Sequence, residues 1–155
     1  MRNAQSLFGL RPLAALAITV LCISLSAHAA EKLPAFPGAE GFGTDSVGGR
    51  GGKVLKVTTL KSEGPGSLKW ALEQKGPRIV VFDVSGVIKL SGKFYNPKLT
   101  IAGQTAPGAG ITVDGCLTFC GSKSTVMEDL IVRFIRVRPT FRGWTSGGDC
   151  IRVGG

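Results

Sequence analysis

This sequence predicts an all-β fold, a parallel β-helix covered at its N-terminal end by one short helix, and three observations carry that prediction. Apolar strands begin near Val80, Leu99, Leu130 and Cys150, at separations of 19, 31 and 20 residues. A period of about twenty with insertions is what stacked coils give when loops bulge out between sheets. The runs at residues 79–82 and 130–134 are almost continuously apolar, as expected of strands with neighbours on both sides. No Asn-Gly pair occurs, whereas a sandwich of antiparallel strands would want such hairpin turns.

Taken in order, the first 29 residues read as an export signal. Arg2 and Arg11 give a positive start, residues 13–25 are apolar, and Ala27-His28-Ala29 puts small residues where a signal peptidase reads. Cleavage after Ala29 would leave one domain, residues 30–155, secreted to the periplasm or the extracellular space. The apolar run is short of the roughly 20 residues that cross a bilayer, so no membrane span is expected. The glycine-rich stretch at residues 38–52 contains no G-x-G-x-x-G, and Val54 follows Lys53 where a phosphate loop would need Ser or Thr. It reads as a structural loop, with Arg50 solvated rather than in contact with substrate.

A strand is expected at residues 54–60. Ser67 can then cap a helix over residues 68–74, with Leu68, Ala71 and Leu72 on one face, before Gly76-Pro77 stops it. That helix would cover the open end of the coil. Further strands are expected at residues 78–83, 86–90, 98–102, 111–113, 117–119, 125–138 and 150–153. Within residues 99–113 the sequence LTIAGQTAPGAGITV sets a corner between two strands: Gly103, Gly108 and Gly110 free the backbone, Pro107 fixes one dihedral, and Gln104 and Thr105 offer side-chain hydrogen bonds.

The chain carries a formal charge of +9, two of which leave with Arg2 and Arg11. An excess of this sign suits a polyanion, or serves only solubility. Nucleic acid fits worst, because few aromatics accompany the charge and no known module is present. Cys116, Cys120 and Cys150 remain after cleavage, an odd number. On one continuous strand Cys116 and Cys120 would lie about 13 Å apart, too far for a bridge, so they read as small buried hydrophobes.

Several motifs occur in order: AFPGAEGFG at residues 35–43, GGRGG at 48–52, GPGSL at 64–68, VFDVSG at 81–86, then the corner at 99–113. In this order they resemble the N-terminal half of bacterial pectate lyases of polysaccharide lyase family 1. The resemblance implies a right-handed parallel β-helix of the pectin lyase-like kind, secretion, a Ca2+ cofactor, and β-elimination of pectate. Calcium would acidify the C5 proton of the uronate, a basic side chain would remove it, and the C4 oxygen would leave. The partner implied is an acidic polysaccharide, met by a monomer.

Arg133, Arg136 and Arg138 form the densest positive run and are the candidate substrate-binding residues, because a guanidinium fork matches a carboxylate edge. The alternative is a solvated strand face with Glu128 and Asp129 as local partners. Trp144 could stack on a sugar ring or shield the coil edge. Asp149, in Gly147-Gly148-Asp149-Cys150-Ile151, matches a calcium ligand of the resembling lyases and is the one candidate metal ligand, with an Asx turn as the alternative. No Arg matches the motif of the catalytic base, which is expected beyond Gly155. The sequence therefore reads as a partial one, incomplete at its C-terminus and inactive alone. A glycoside hydrolase would need paired carboxylates, and Asp114, Glu128, Asp129 and Asp149 form no such pattern. The remaining alternative is a non-catalytic secreted β-helix, a glycan-binding or adhesin module.

Overall fold

The computed structural model describes residues 33–140 and 149–154. The chain divides into Met1–Leu33 and Pro34–Gly155, and the fold is that of the second unit. Among the described residues ten strands and one α-helix follow one another as β1 (Lys53–Val57), α1 (Leu68–Glu73), β2 (Arg78–Phe82), β3 (Gly86–Lys89), β4 (Gly92–Phe94), β5 (Leu99–Ala102), β6 (Ile111–Asp114), β7 (Leu117–Cys120), β8 (Leu130–Arg133), β9 (Ile135–Val137) and β10 (Ile151–Gly154).

They pair into three parallel sheets, β1-β2-β5-β8, β3-β6-β9 and β4-β7-β10. Each of the coils β2-β3-β4, β5-β6-β7 and β8-β9-β10 thus gives one strand to every sheet, the parallel β-helix that the sequence predicts. The first coil has β1 alone, with α1 in place of the other two strands.

Alternation within short strands explains the core. In the first sheet Leu55, Val80, Ile101 and Val132 share one register position. Ile88, Val113 and Val137 do so in the second, and Phe94 and Phe119 in the third, where Val153 shares the register but stays exposed. The rings of Phe94 and Phe119 lie 5.9 Å apart, tilted by 37°, within the favourable range for aromatic pairs. Leu68, Ala71 and Leu72 of α1 join this core, and Ser67 caps the helix through Oγ, which accepts from the Trp70 amide at 3.2 Å.

Two expectations change. Residues 125–138 are not one strand: the chain turns at Phe134, with φ 55°, between β8 and β9, a left-handed conformation that no apolar pattern announces. The strand after Cys150 does not continue the sheet of Leu130 but pairs with β7 in the third sheet, so the 20-residue spacing lies within one coil. The third sheet also holds β4, whose Gly-Lys-Phe is too short to stand out from its surroundings. Asp114-Gly115, a pair often found in hairpins, here turns the chain from β6 into β7 in a different sheet.

Residues 34–52 cross the edges of the coils as a strap. The Gly49 amide donates to Thr100 Oγ1 at 2.9 Å and the Val47 amide to Asp129 Oδ1 at 2.9 Å. A Cβ on Gly49 would lie 1.9 Å from the Arg78 carbonyl oxygen, and one on Gly52 1.9 Å from that of Pro77. The glycines are there because backbone lies against backbone. The structural-loop reading of this stretch holds, and the Arg50 guanidinium is not merely solvated, since it donates to the Pro34 carbonyl.

At the corner of residues 99–113 a 3-10 turn, Gly103–Thr105, follows β5. Thr105 Oγ1 donates to the Ala102 carbonyl at 2.8 Å and accepts from the Phe82 amide at 2.9 Å, tying this corner to the coil before it.

Candidate functional site

The turn at Phe134 decides where the three arginines go. Arg133 closes β8 in the first sheet, and its guanidinium lies 3.9 Å from the ring centroid of Phe36 and 4.9 Å from that of Phe134. Cation–π contact therefore holds it between the strap and the corner. Arg136 is on β9, in the second sheet, where Nε donates to Thr112 Oγ1 at 3.0 Å and Nη2 to the Ala109 carbonyl. Arg138 follows β9, and its amide donates to the Val113 carbonyl at 2.9 Å. Arg136 and Arg138 are exposed, two residues apart, and so lie on one outward face. Arg133 is on a different sheet.

Glu128 and Asp129 are not the partners of these arginines. Glu128 Oε1 pairs with Lys98 Nζ at 3.5 Å, both exposed, and Asp129 anchors the strap through Val47. The anion beside the arginine-bearing sheet is Asp114, in register with Lys89. Its Oδ1 accepts from the Thr140 amide at 2.8 Å and from Thr140 Oγ1 at 2.9 Å. Those bonds, first from the amide and then from the hydroxyl, together with nearby Lys89, hold the carboxyl below the usual carboxylate range. Asp114, Thr140, Lys89, Ser91 and Pro139 line an open cleft of about 400 Å³. The signal for this pairing is the Lys and Asp that close equivalent strands in successive coils, visible only once the register is known.

Asp149 is exposed and precedes Cys150 and β10. Its surroundings include Cys116, whose thiol is pushed up by burial and then by nearby Cys150 and Asp149. Calcium takes about six to eight oxygen ligands. Among the described residues no three His, Cys, Asp or Glu side chains come together as a metal site, and one carboxylate near two thiols is not a donor set for a hard cation. The described residues therefore do not fit calcium by themselves. Trp144, Gly147 and Gly148 lie outside the described residues.

No family model matches the chain. Among curated proteins, "Probable pectate lyase C" of Aspergillus flavus is 47% identical over 135 residues, 86% of this chain and 30% of that protein. The protein of the same name from Emericella nidulans is 49% identical over 139 residues, 89% of this chain and 30% of its own length. "Probable pectate lyase 18" of Solanum lycopersicum is 28% identical over 152 residues, 86% of this chain and 37% of its own. The chain spans about 30% of the length of the fungal relatives it matches. These relatives are fungal and plant proteins, so they support the pectate lyase resemblance of the motifs but not its bacterial part. Through these matches, and with a fold of three parallel sheets to carry them, the chain is similar to the part it spans of proteins named as probable pectate lyases.

Proposed function

We propose that this chain supplies the first coils of an exported, calcium-dependent lyase that cleaves pectate by β-elimination and works as a monomer. The observation that carries the reading is the 47% identity to a protein named as a pectate lyase, extending over 86% of this chain. Export by a bacterial-type signal removed after Ala29 accords with the sequence of residues 1–29.

Within that reading the exposed Arg136 and Arg138 hold carboxylates of the uronate polymer, as forked donors do. Arg133, stacked between two rings, adds positive charge at the neighbouring sheet edge. Asp149 is one carboxylate of a calcium site whose other oxygens come from elsewhere in the protein. The catalytic base is not among the described residues, and residues 30–155 alone are inactive.

The test uses a protein of the relatives' length that contains this chain, given polygalacturonate and calcium. Ultraviolet absorbance of the unsaturated product should rise, and a chelator should abolish the rise. Asp149→Ala should raise the calcium needed for half-maximal rate by about tenfold or more. Absence of unsaturated product would sink the lyase reading, and an unchanged calcium requirement would return Asp149 to a turn residue.

A further inference from the structure

The corners before the strands of the third sheet stack Ser91, Cys116 and Cys150 in one column. Ile151 is in register with Leu117, and the Leu117 amide donates to the Cys150 carbonyl at 3.0 Å, which puts Cys150 beside Cys116 in the next coil. One coil earlier, the Gly92 amide donates to the Cys116 carbonyl at 3.0 Å, and the Cys116 amide to Ser91 Oγ at 3.1 Å. Cys116 is buried, Cys150 is half-buried, and both are free thiols.

From this stacking we infer that Cys116 and Cys150 form a disulfide that ties the third coil to the fourth. Neighbouring parallel strands run about 4.8 Å apart, and bridged cysteines have α-carbons about 4.4–6.8 Å apart. Cys120 is the competitor, and the register disposes of it. It stands opposite Gly154, which has no side chain, and at the other end of β7 from Cys116. Each thiol gives up its proton and a sulfur–sulfur bond forms. The two electrons and two protons pass to a disulfide oxidant, whose own bond is reduced to two thiols. In the cell the inference rests on the export reading, because exported compartments supply such oxidants. The bond would also fix the residues leading into β10, Asp149 among them, against the third coil.

The purified full chain is held in glutathione disulfide, blocked with N-ethylmaleimide, and digested with trypsin and chymotrypsin without reduction. Cleavage after Phe119 separates Cys116 from Cys120. Mass spectrometry should find the Cys116 and Cys150 peptides joined, with Cys120 carrying maleimide. In Cys150→Ser the joined species should vanish and Cys116 should carry maleimide instead. Maleimide on Cys116, Cys120 and Cys150 alike, or a bridge that includes Cys120, would overturn the inference. Because the oxidant is supplied in the assay, a failure of export shows separately, as an intact N-terminal peptide bearing Cys22.

Discussion

Arg78 shows how one side chain can hold two parts of a solenoid together. It is 1% exposed, and its five N–H donors all reach backbone carbonyls. Nε donates to Ala71, Nη1 to Gly76 and Pro97, and Nη2 to Leu72 and Asn96. Two of those carbonyls belong to α1, whose C-terminal end attracts a cation, and two to the loop leading into β5. Burial lowers the guanidinium pKa to about 10, so it stays charged at neutral pH. Arg78→Lys keeps the charge but has three donors for five acceptors. It should cost about 3 kcal/mol in urea unfolding, since orphaned buried carbonyls cost about 1–3 kcal/mol each. A silent Arg78→Lys would mean that charge alone matters there. The sequence shows Arg78 only as the first residue of a strand, because its partners come from segments up to 19 residues away.

Among the elements, the strands and corners divide into those the sequence announces and those it does not. Helix α1 was legible, through Ser67 and the face of Leu68, Ala71 and Leu72, because a cap and a 3.6-residue period are local signals. Strands with two or more apolar residues in a row were legible too. β4 was not, and neither was the break at Phe134, where a side chain adopts a conformation that usually asks for glycine. That one corner also dispersed the arginines, so the candidate site was legible in residue type but not in arrangement. The corner at residues 99–113 tests which glycines matter. At Gly103 a Cβ would lie 2.3 Å from the Phe134 carbonyl oxygen, whereas at Gly108, with φ 54°, the nearest atom would be Ser85 Oγ at 3.8 Å. Gly103→Ala should therefore cost about 3 kcal/mol through overpacking against backbone. Gly108→Ala should cost only about 1 kcal/mol, for the left-handed backbone. Equal losses in denaturant melts would contradict this account of the corner.

Across the whole molecule, the strap changes what kind of solenoid this is. Stacked coils touch only their neighbours, and such arrays open from an end. Here residues 34–52 reach three coils, through Pro77 and Arg78, Thr100, and Asp129. Gly49→Ala should push the strap off the Arg78 carbonyl, lower stability by about 2 kcal/mol, and open residues 34–52 to limited proteolysis. A protected strap in that variant would show that the close packing of Gly49 is not what holds it. The motif GGRGG, legible as glycine-rich but not as a strap, owes Gly48, Gly49 and Gly52 to this crossing, whereas Gly38 and Gly41 of AFPGAEGFG stand in left-handed backbone with open space beside them. The bond from Val47 to Asp129 spans 82 residues, and it sets a schedule for synthesis. The strap leaves the ribosome before its anchors at Asp129 and Arg133, so it stays unlatched until the fourth coil has begun and is then fastened as the coils beneath it close.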